Sequence, residues 1–117
     1  MMIEINQLVK RYDTLVALNH VDLQVAEGEI LGLLGPNGSG KTTAIHCMLS
    51  LLRFDKGSIQ LFGQQMTADN YAVKARIGIV PQEIAVYEEL TVYENIDYFC
   101  GLYVPHKKKR QSLISEV

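Results

Sequence analysis

Ile3, Ile5 and Leu8 open the chain in a broken alternation, and Val21, Leu23 and Val25 alternate strictly with Asp22, Gln24 and Ala26. A period of two puts every second side chain on one face, so both stretches are expected to be half-buried antiparallel strands. After a polar turn at Glu27, Gly28 and Glu29, residues 30–34 read Ile-Leu-Gly-Leu-Leu and are apolar on both faces. That pattern predicts a central strand covered on both sides.

The spacing turns helical at Lys41. Ile45, Met48, Leu49 and Leu52 fall on one face, which predicts a helix running to Arg53 before a turn at residues 55–57. Residues 58–62 are expected to form a short strand closed by Gly63, residues 71–76 a brief helix, and residues 77–80 an apolar strand stopped by Pro81. Thr91 and Glu94 have the spacing of a capping box, in which each side chain satisfies a free backbone N–H, so a helix is expected from there to about Leu102. Beyond Pro105 a further helical pattern holds Leu113, Ile114 and Val117 and leaves an apolar face unfinished. No internal repeat or linker divides the chain.

Composition narrows the picture modestly. A chain of 117 residues suits one domain or part of one, and 48% apolar with 21% charged residues argues against disorder and against a membrane span. A formal charge of −2 supplies no field that would point to nucleic acid. Lys107, Lys108, Lys109 and Arg110 form the one basic run and read as a solvated helix face. Cys47 and Cys100 have no close partner that would make a zinc motif, and His20, His46 and His106 form no ligand cluster, so a reducing cytosol fits best. No stretch approaches the roughly 18 apolar residues of a membrane helix, so a membrane connection is expected only through a partner.

The chemistry concentrates at Gly35, Pro36, Asn37, Gly38, Ser39, Gly40, Lys41 and Thr42, which fit the P-loop pattern of Gly, four residues, Gly, Lys, and Ser or Thr. Glycines let consecutive backbone N–H groups turn inward on phosphate oxygens, and the start of a helix adds partial positive charge. Lys41 is placed to reach the β- and γ-phosphates, the Thr42 hydroxyl to ligate Mg²⁺, and Thr43 to contact the α-phosphate. The expected ligands are ATP and Mg²⁺.

A P-loop alone leaves kinases, GTPases, motors and transport ATPases open. Taken with the order of its other segments, the sequence resembles the ATP-binding subunit of ABC transporters along essentially its whole length. Lys10-Arg11-Tyr12, followed by Val16-Ala17-Leu18, is similar to the family's A-loop region, so the resemblance implies that Tyr12 stacks on adenine; read alone, a lone Tyr suits packing. Ile77-Gly-Ile-Val-Pro-Gln82 resembles the Q-loop, which implies a catalytic and metal-touching role for Gln82; alone, Gln after Pro is a strand end. Residues 87–95 resemble the segment that opens the helical subdomain and faces the permease, implying a docking surface, while Tyr87 and Tyr93 packed under their own helix is the equal alternative. The wording of residues 79–90 and of Cys100-Gly-Leu-Tyr103 resembles ATPases of exporters of drugs, antibiotics or polysaccharides.

The resemblance implies an α/β P-loop NTPase core beside an antiparallel β-subdomain, truncated in the helical subdomain, with residues 1–117 the N-terminal part of one ATP-binding domain. It implies transmembrane permease subunits and a second ATP-binding subunit as partners, no nucleic acid, and a place on the inner face of the cell membrane. The family's signature loop, its Walker B strand and its switch histidine have no counterpart before Val117. Lys41 and Gln82 are therefore the only catalytic candidates, and the chain alone is expected to bind Mg-ATP with little or no turnover. A chain that stops within a helical pattern is expected to be a truncated piece, marginal or self-associating by itself. The remaining alternatives are a soluble ABC-type ATPase acting on ribosomes or DNA, and a non-catalytic ATP-binding fragment.

Overall fold

The two alternating stretches become β1 (Ile3–Tyr12) and β2 (Leu15–Val25), an antiparallel hairpin whose tight turn holds Asp13 at φ 50°. The computed structural model describes residues 1–83 and 86–117, which form two units, Met1–Ile77 and Gly78–Val117. Ile84 and Ala85, part of the exporter-like wording at residues 79–90, lie outside the described residues.

The broken alternation of β1 has a physical cause. Gln7 sits at φ 50° and the register of β1 against β2 shifts between Ile5 and Leu8, so Ile5 and Leu8 are both buried although three residues apart. Asp22 on β2 holds this bulge, accepting from the Gln7 backbone N–H at 2.7 Å and from Gln7 Nε2 at 2.6 Å. Downstream, α1 (Lys41–Met48) leads to β3 (Lys56–Leu61), β4 (Gln64–Gln65) and α2 (Tyr71–Lys74), giving one antiparallel sheet in the order β2-β1-β3-β4. β4 is too short to carry a pattern and had no counterpart in the expectations.

Ile5, Leu8 and Ile59 of the sheet cluster with Cys47 of α1 and Val73 of α2, and all five are almost wholly buried. Each buried aliphatic side chain contributes about 1.5–3 kcal/mol, and Cys47, with the partly buried Ala44 and Met48, brings α1 against this cluster. The helix ends at Met48, short of the expected Arg53. Ser50 takes φ 58°, its N–H donates to the Cys47 carbonyl and the N–H of Leu51 donates to that of His46, a Schellman closure with Ser where Gly is usual. Without a glycine there, the apolar spacing concealed the stop.

Two expected strands need correction. Residues 30–34 and 77–80 join no sheet among the described residues. Leu31 and Leu33 face an apolar groove of about 300 Å³ with Ile3, Val25 and Met48, whereas Ile30 and Leu34 are each 97% exposed. Leu31 and Leu33 are themselves 44% and 42% exposed, so one face is only partly covered. A strand apolar on both faces needs hydrogen-bonding neighbours at its edges and a layer on each side, and the described residues supply neither in full. Val80 is likewise 97% exposed.

In the second unit, α3 (Val92–Gly101) starts at the expected capping box. Glu94 N–H donates to Thr91 Oγ1 at 3.1 Å, and Thr91 N–H reaches Glu94 Oε1 at 3.5 Å. α4 (Lys107–Ile114) follows, and Ile114 is buried. Lys107, Lys108 and Lys109 are exposed as expected. Arg110 departs from the solvated-face reading: its Nε donates to Asp97 Oδ1 at 2.9 Å and its guanidinium to the carbonyls of Pro105 at 2.7 Å and Val104 at 3.2 Å, tying α4 to α3.

Candidate functional site

The loop of residues 35–40 folds into the N-terminus of α1. Its last residue, Gly40, is the N-cap at φ 96°, with no side chain satisfying the first-turn amides and no acidic residue in that turn. The N–H groups that begin a helix have no partners inside it, so the start of α1 keeps free donors and partial positive charge. Gly35 serves differently: a Cβ there would come within 2.8 Å of Ser39 Oγ, so the Ser39 hydroxyl would have to turn away.

Lys41 Nζ donates to the Gly35 carbonyl and, at 3.4 Å, to that of Pro36. The ammonium therefore lies folded on the loop, held by neutral oxygens, and an anionic ligand would be a better acceptor. Pro36, Asn37, Gly38, Ser39, Gly40, Lys41, Thr42 and Thr43 together line one side of a groove of about 410 Å³. Gly35 is the single P-loop candidate away from the lining, and it acts through its carbonyl and its lack of a Cβ.

The other side of the groove is the β1–β2 hairpin. Tyr12 at the end of β1, 45% exposed, lines it with Leu15, Val16 and Ala17 of β2. The hairpin register pairs Tyr12 with Leu15, which brings both to the groove. Leu15 was missed by sequence reasoning, although its place two residues beyond Asp13 in a tight hairpin was a usable signal. The structure thus joins an aromatic ring and the P-loop segment, 24 or more residues apart in sequence, in one cavity.

Gln82 belongs to the second unit, in an exposed bend after Pro81. Nearby, the Asn95 side chain holds the loop before α3: Oδ1 accepts from Tyr87 N–H at 2.8 Å, and Nδ2 donates to the carbonyls of Thr91 at 2.9 Å, Tyr87 at 3.1 Å and Leu90 at 3.3 Å. The Tyr87 ring packs on α3, edge-to-face with Tyr98 at 5.2 Å and stacked on Phe99 at 6.4 Å, yet it stays 42% exposed. Tyr93 is 49% exposed. Of the two tyrosines, Tyr87 packs against α3 as the packing alternative has it, whereas Tyr93 is exposed.

Burial pushes the Cys47 thiol above its ordinary range, with Lys10 opposing and Asp55 adding to the effect. Among the described residues no three His, Cys, Asp or Glu side chains gather as a metal site. No helix among them is long and apolar enough to cross a membrane.

Comparison with known proteins follows the same lines. Residues 18–117 match the family described as ABC transporter. The chain is 44% identical over 94 residues to a daunorubicin resistance ATP-binding protein of Streptomyces coeruleorubidus, covering 80% of this chain and 30% of that one. It is 38% identical over 110 residues to a sulfate/thiosulfate import ATP-binding protein of Nitrosomonas europaea, covering 94% of this chain and 30% of the relative. The chain therefore spans about a third of the length of these relatives. Among solved structures, the ATP binding subunit of an ABC transporter superposes with a TM-score of 0.74 at 26% identity, over 88% of this chain and 42% of that one. A dimeric ATP-binding cassette in a post-hydrolysis state with ADP and Pi shares the fold at a TM-score of 0.76 and 24% identity, over 98% of this chain and 55% of its own.

Proposed function

The chain belongs to the ABC transporter family, and on that premise we propose that it is the nucleotide-binding front of the ATP-binding component of an exporter. Its own chemistry is the binding of Mg-ATP. The observation that carries this reading is the single groove in which Tyr12 stands opposite the loop and first turn of α1. The aromatic ring suits a flat base, and the free amides with Lys41 suit a polyphosphate.

Mg²⁺ fits as a ligand-borne ion. Thr42 offers a hydroxyl in the groove, the site has no carboxylate cluster, and Mg²⁺ is commonly held by few protein oxygens together with substrate phosphates and waters. When bound, the ion would neutralise charge on the phosphates. Thr42 would hold it from the groove, while Gln82 belongs to the second unit. The residues placed to cradle the phosphates do not activate water, so these 117 residues bind without sustained hydrolysis.

Coupling to transmembrane permease subunits, pairing with a second ATP-binding subunit, and a position on the cytoplasmic face through the permease belong to this reading. The half-exposed Tyr87, Tyr98 and Phe99 give the second unit an aromatic surface suited to such a permease contact. Export rests on the resemblance of residues 79–90 and of Cys100-Gly-Leu-Tyr103 to exporter ATPases, and the drug-resistance relative is in keeping with it.

Equilibrium dialysis with Mg-ATP, paired with a phosphate-release assay, tests the proposal. Saturable binding, weakened about tenfold or more in Lys41→Ala through loss of a charge-assisted donor, is the expected result, with no steady release of phosphate. Binding indifferent to Lys41→Ala would remove the site, and steady hydrolysis dependent on Lys41 would remove the division of labour.

A further inference from the structure

Lys10 and Tyr12 stand two residues apart on β1, and Lys10 Nζ lies 5.0 Å from the centroid of the Tyr12 ring, within cation–π range. Tyr12 lines the groove and Lys10 does not, so the ammonium meets the groove through the ring. The backbone on either side of Lys10 is pinned: Asp55 N–H donates to the Val9 carbonyl at 2.8 Å, and Arg11 N–H donates to Asp55 Oδ2 at 2.7 Å. Among the described residues no carboxylate makes an ion pair with Lys10. A fixed stem thus carries a cation whose contact is an aromatic face.

A half-exposed tyrosine at a strand end has rotamer freedom that a stacked base would have to remove, and a cation held against the ring removes it beforehand. We propose that Lys10 is a positioning residue for base recognition, holding the Tyr12 ring where it closes the base end of the groove. This rests on the reading of Tyr12 as the base platform. Affinity for an aromatic nucleotide then depends on Lys10, while affinity for a bare phosphate chain does not. A lysine acting as a general attractor of anions would strengthen both alike.

The test measures binding of Mg-ATP and of Mg-tripolyphosphate to the full 117-residue chain carrying Lys10→Met, Lys10→Arg or Tyr12→Ala. The readout is the ratio of the two affinities, because partial unfolding reduces both in proportion and cancels. Lys10→Met should lower the ratio about two- to fivefold, in keeping with a partly exposed cation–π contact, and Lys10→Arg should restore it, since guanidinium also stacks on an aromatic face. Tyr12→Ala should lower it at least as far. A ratio unchanged in Lys10→Met but lowered in Tyr12→Ala would overturn the role of Lys10 and leave the base platform standing. A ratio unchanged in Tyr12→Ala would overturn the platform and the role of Lys10 together.

Discussion

The backbone of Gly40 runs so close to Ala17 that a Cβ on Gly40 would stand 2.8 Å from the Ala17 carbonyl oxygen and 3.0 Å from Leu18 Cδ2. β2 and the N-terminus of α1 are in contact at that point, which holds the glycine-loop end of the groove against the hairpin that carries Tyr12. Gly40 also has φ 96°, where an L side chain is strained.

Gly40→Ala therefore combines a steric clash with backbone strain. The conformation alone costs about 1–3 kcal/mol, and relief of the clash must move the loop away from β2. Urea unfolding should show a lower midpoint, and Mg-ATP affinity measured where the variant is still folded should fall as well. Unchanged stability and affinity would mean that the loop is not held by β2.

Asn95 predicts a local effect. Asn95→Ala removes the acceptor for Tyr87 N–H and the donor to three carbonyls of residues 87–91. Net contributions of about 1 kcal/mol per hydrogen bond put the loss at roughly 1–2 kcal/mol, because several of these groups can turn to water. Hydrogen exchange at the Tyr87 amide should speed up in Asn95→Ala, and also in Asn95→Asp, which keeps the acceptor but sets a carboxylate oxygen against the carbonyls of Tyr87, Leu90 and Thr91.

Arg110 ties α4 to α3 through one carboxylate and two carbonyls, with its side chain only 16% exposed and that of Asp97 36% exposed. A lysine cannot reproduce a planar fork serving three acceptors. Arg110→Lys should cost roughly 1–2 kcal/mol and expose the amides of α4 to exchange ahead of those of α3. The neighbouring Lys108→Ala, on an exposed position, should leave both helices as they were.

Cys47 links stability to pH. Its thiol is raised above the ordinary value of 9.0 by burial, so the unfolded chain loses the proton first as pH climbs. The stabilisation is complete below that ordinary value and disappears as pH rises through the higher folded value. Between about pH 8 and pH 10 the wild type should lose more stability than Cys47→Ala, measured by urea unfolding at each pH. At neutral pH a thiol reagent should modify the partly exposed Cys100 well before the buried Cys47.

Much of the local structure was legible because it depends on neighbours in sequence. The capping box at Thr91 and Glu94, the strict alternation of Val21, Leu23 and Val25, and the glycines ahead of Lys41 each act within a few residues, and all were found where the pattern put them. The stop of α1 at Ser50 was hidden because an αL residue other than glycine leaves no compositional trace. Arg110 looked like one more member of a basic run because its partner, Asp97, is on another helix.

The sequence by itself determined the P-loop pattern ahead of α1, the polarity of the first hairpin and the family to which the chain belongs, since these are written in residue type and spacing. Tertiary structure decided which aromatic ring faces that loop, that Lys10 stands against it, and that Leu15 shares the wall. It also decided that residues 30–34 join no sheet among the described residues. Apolar residues on both faces state a demand for burial, but a strand forms only where other segments bring hydrogen-bonding edges and covering layers to it, and that supply is a property of the assembled chain.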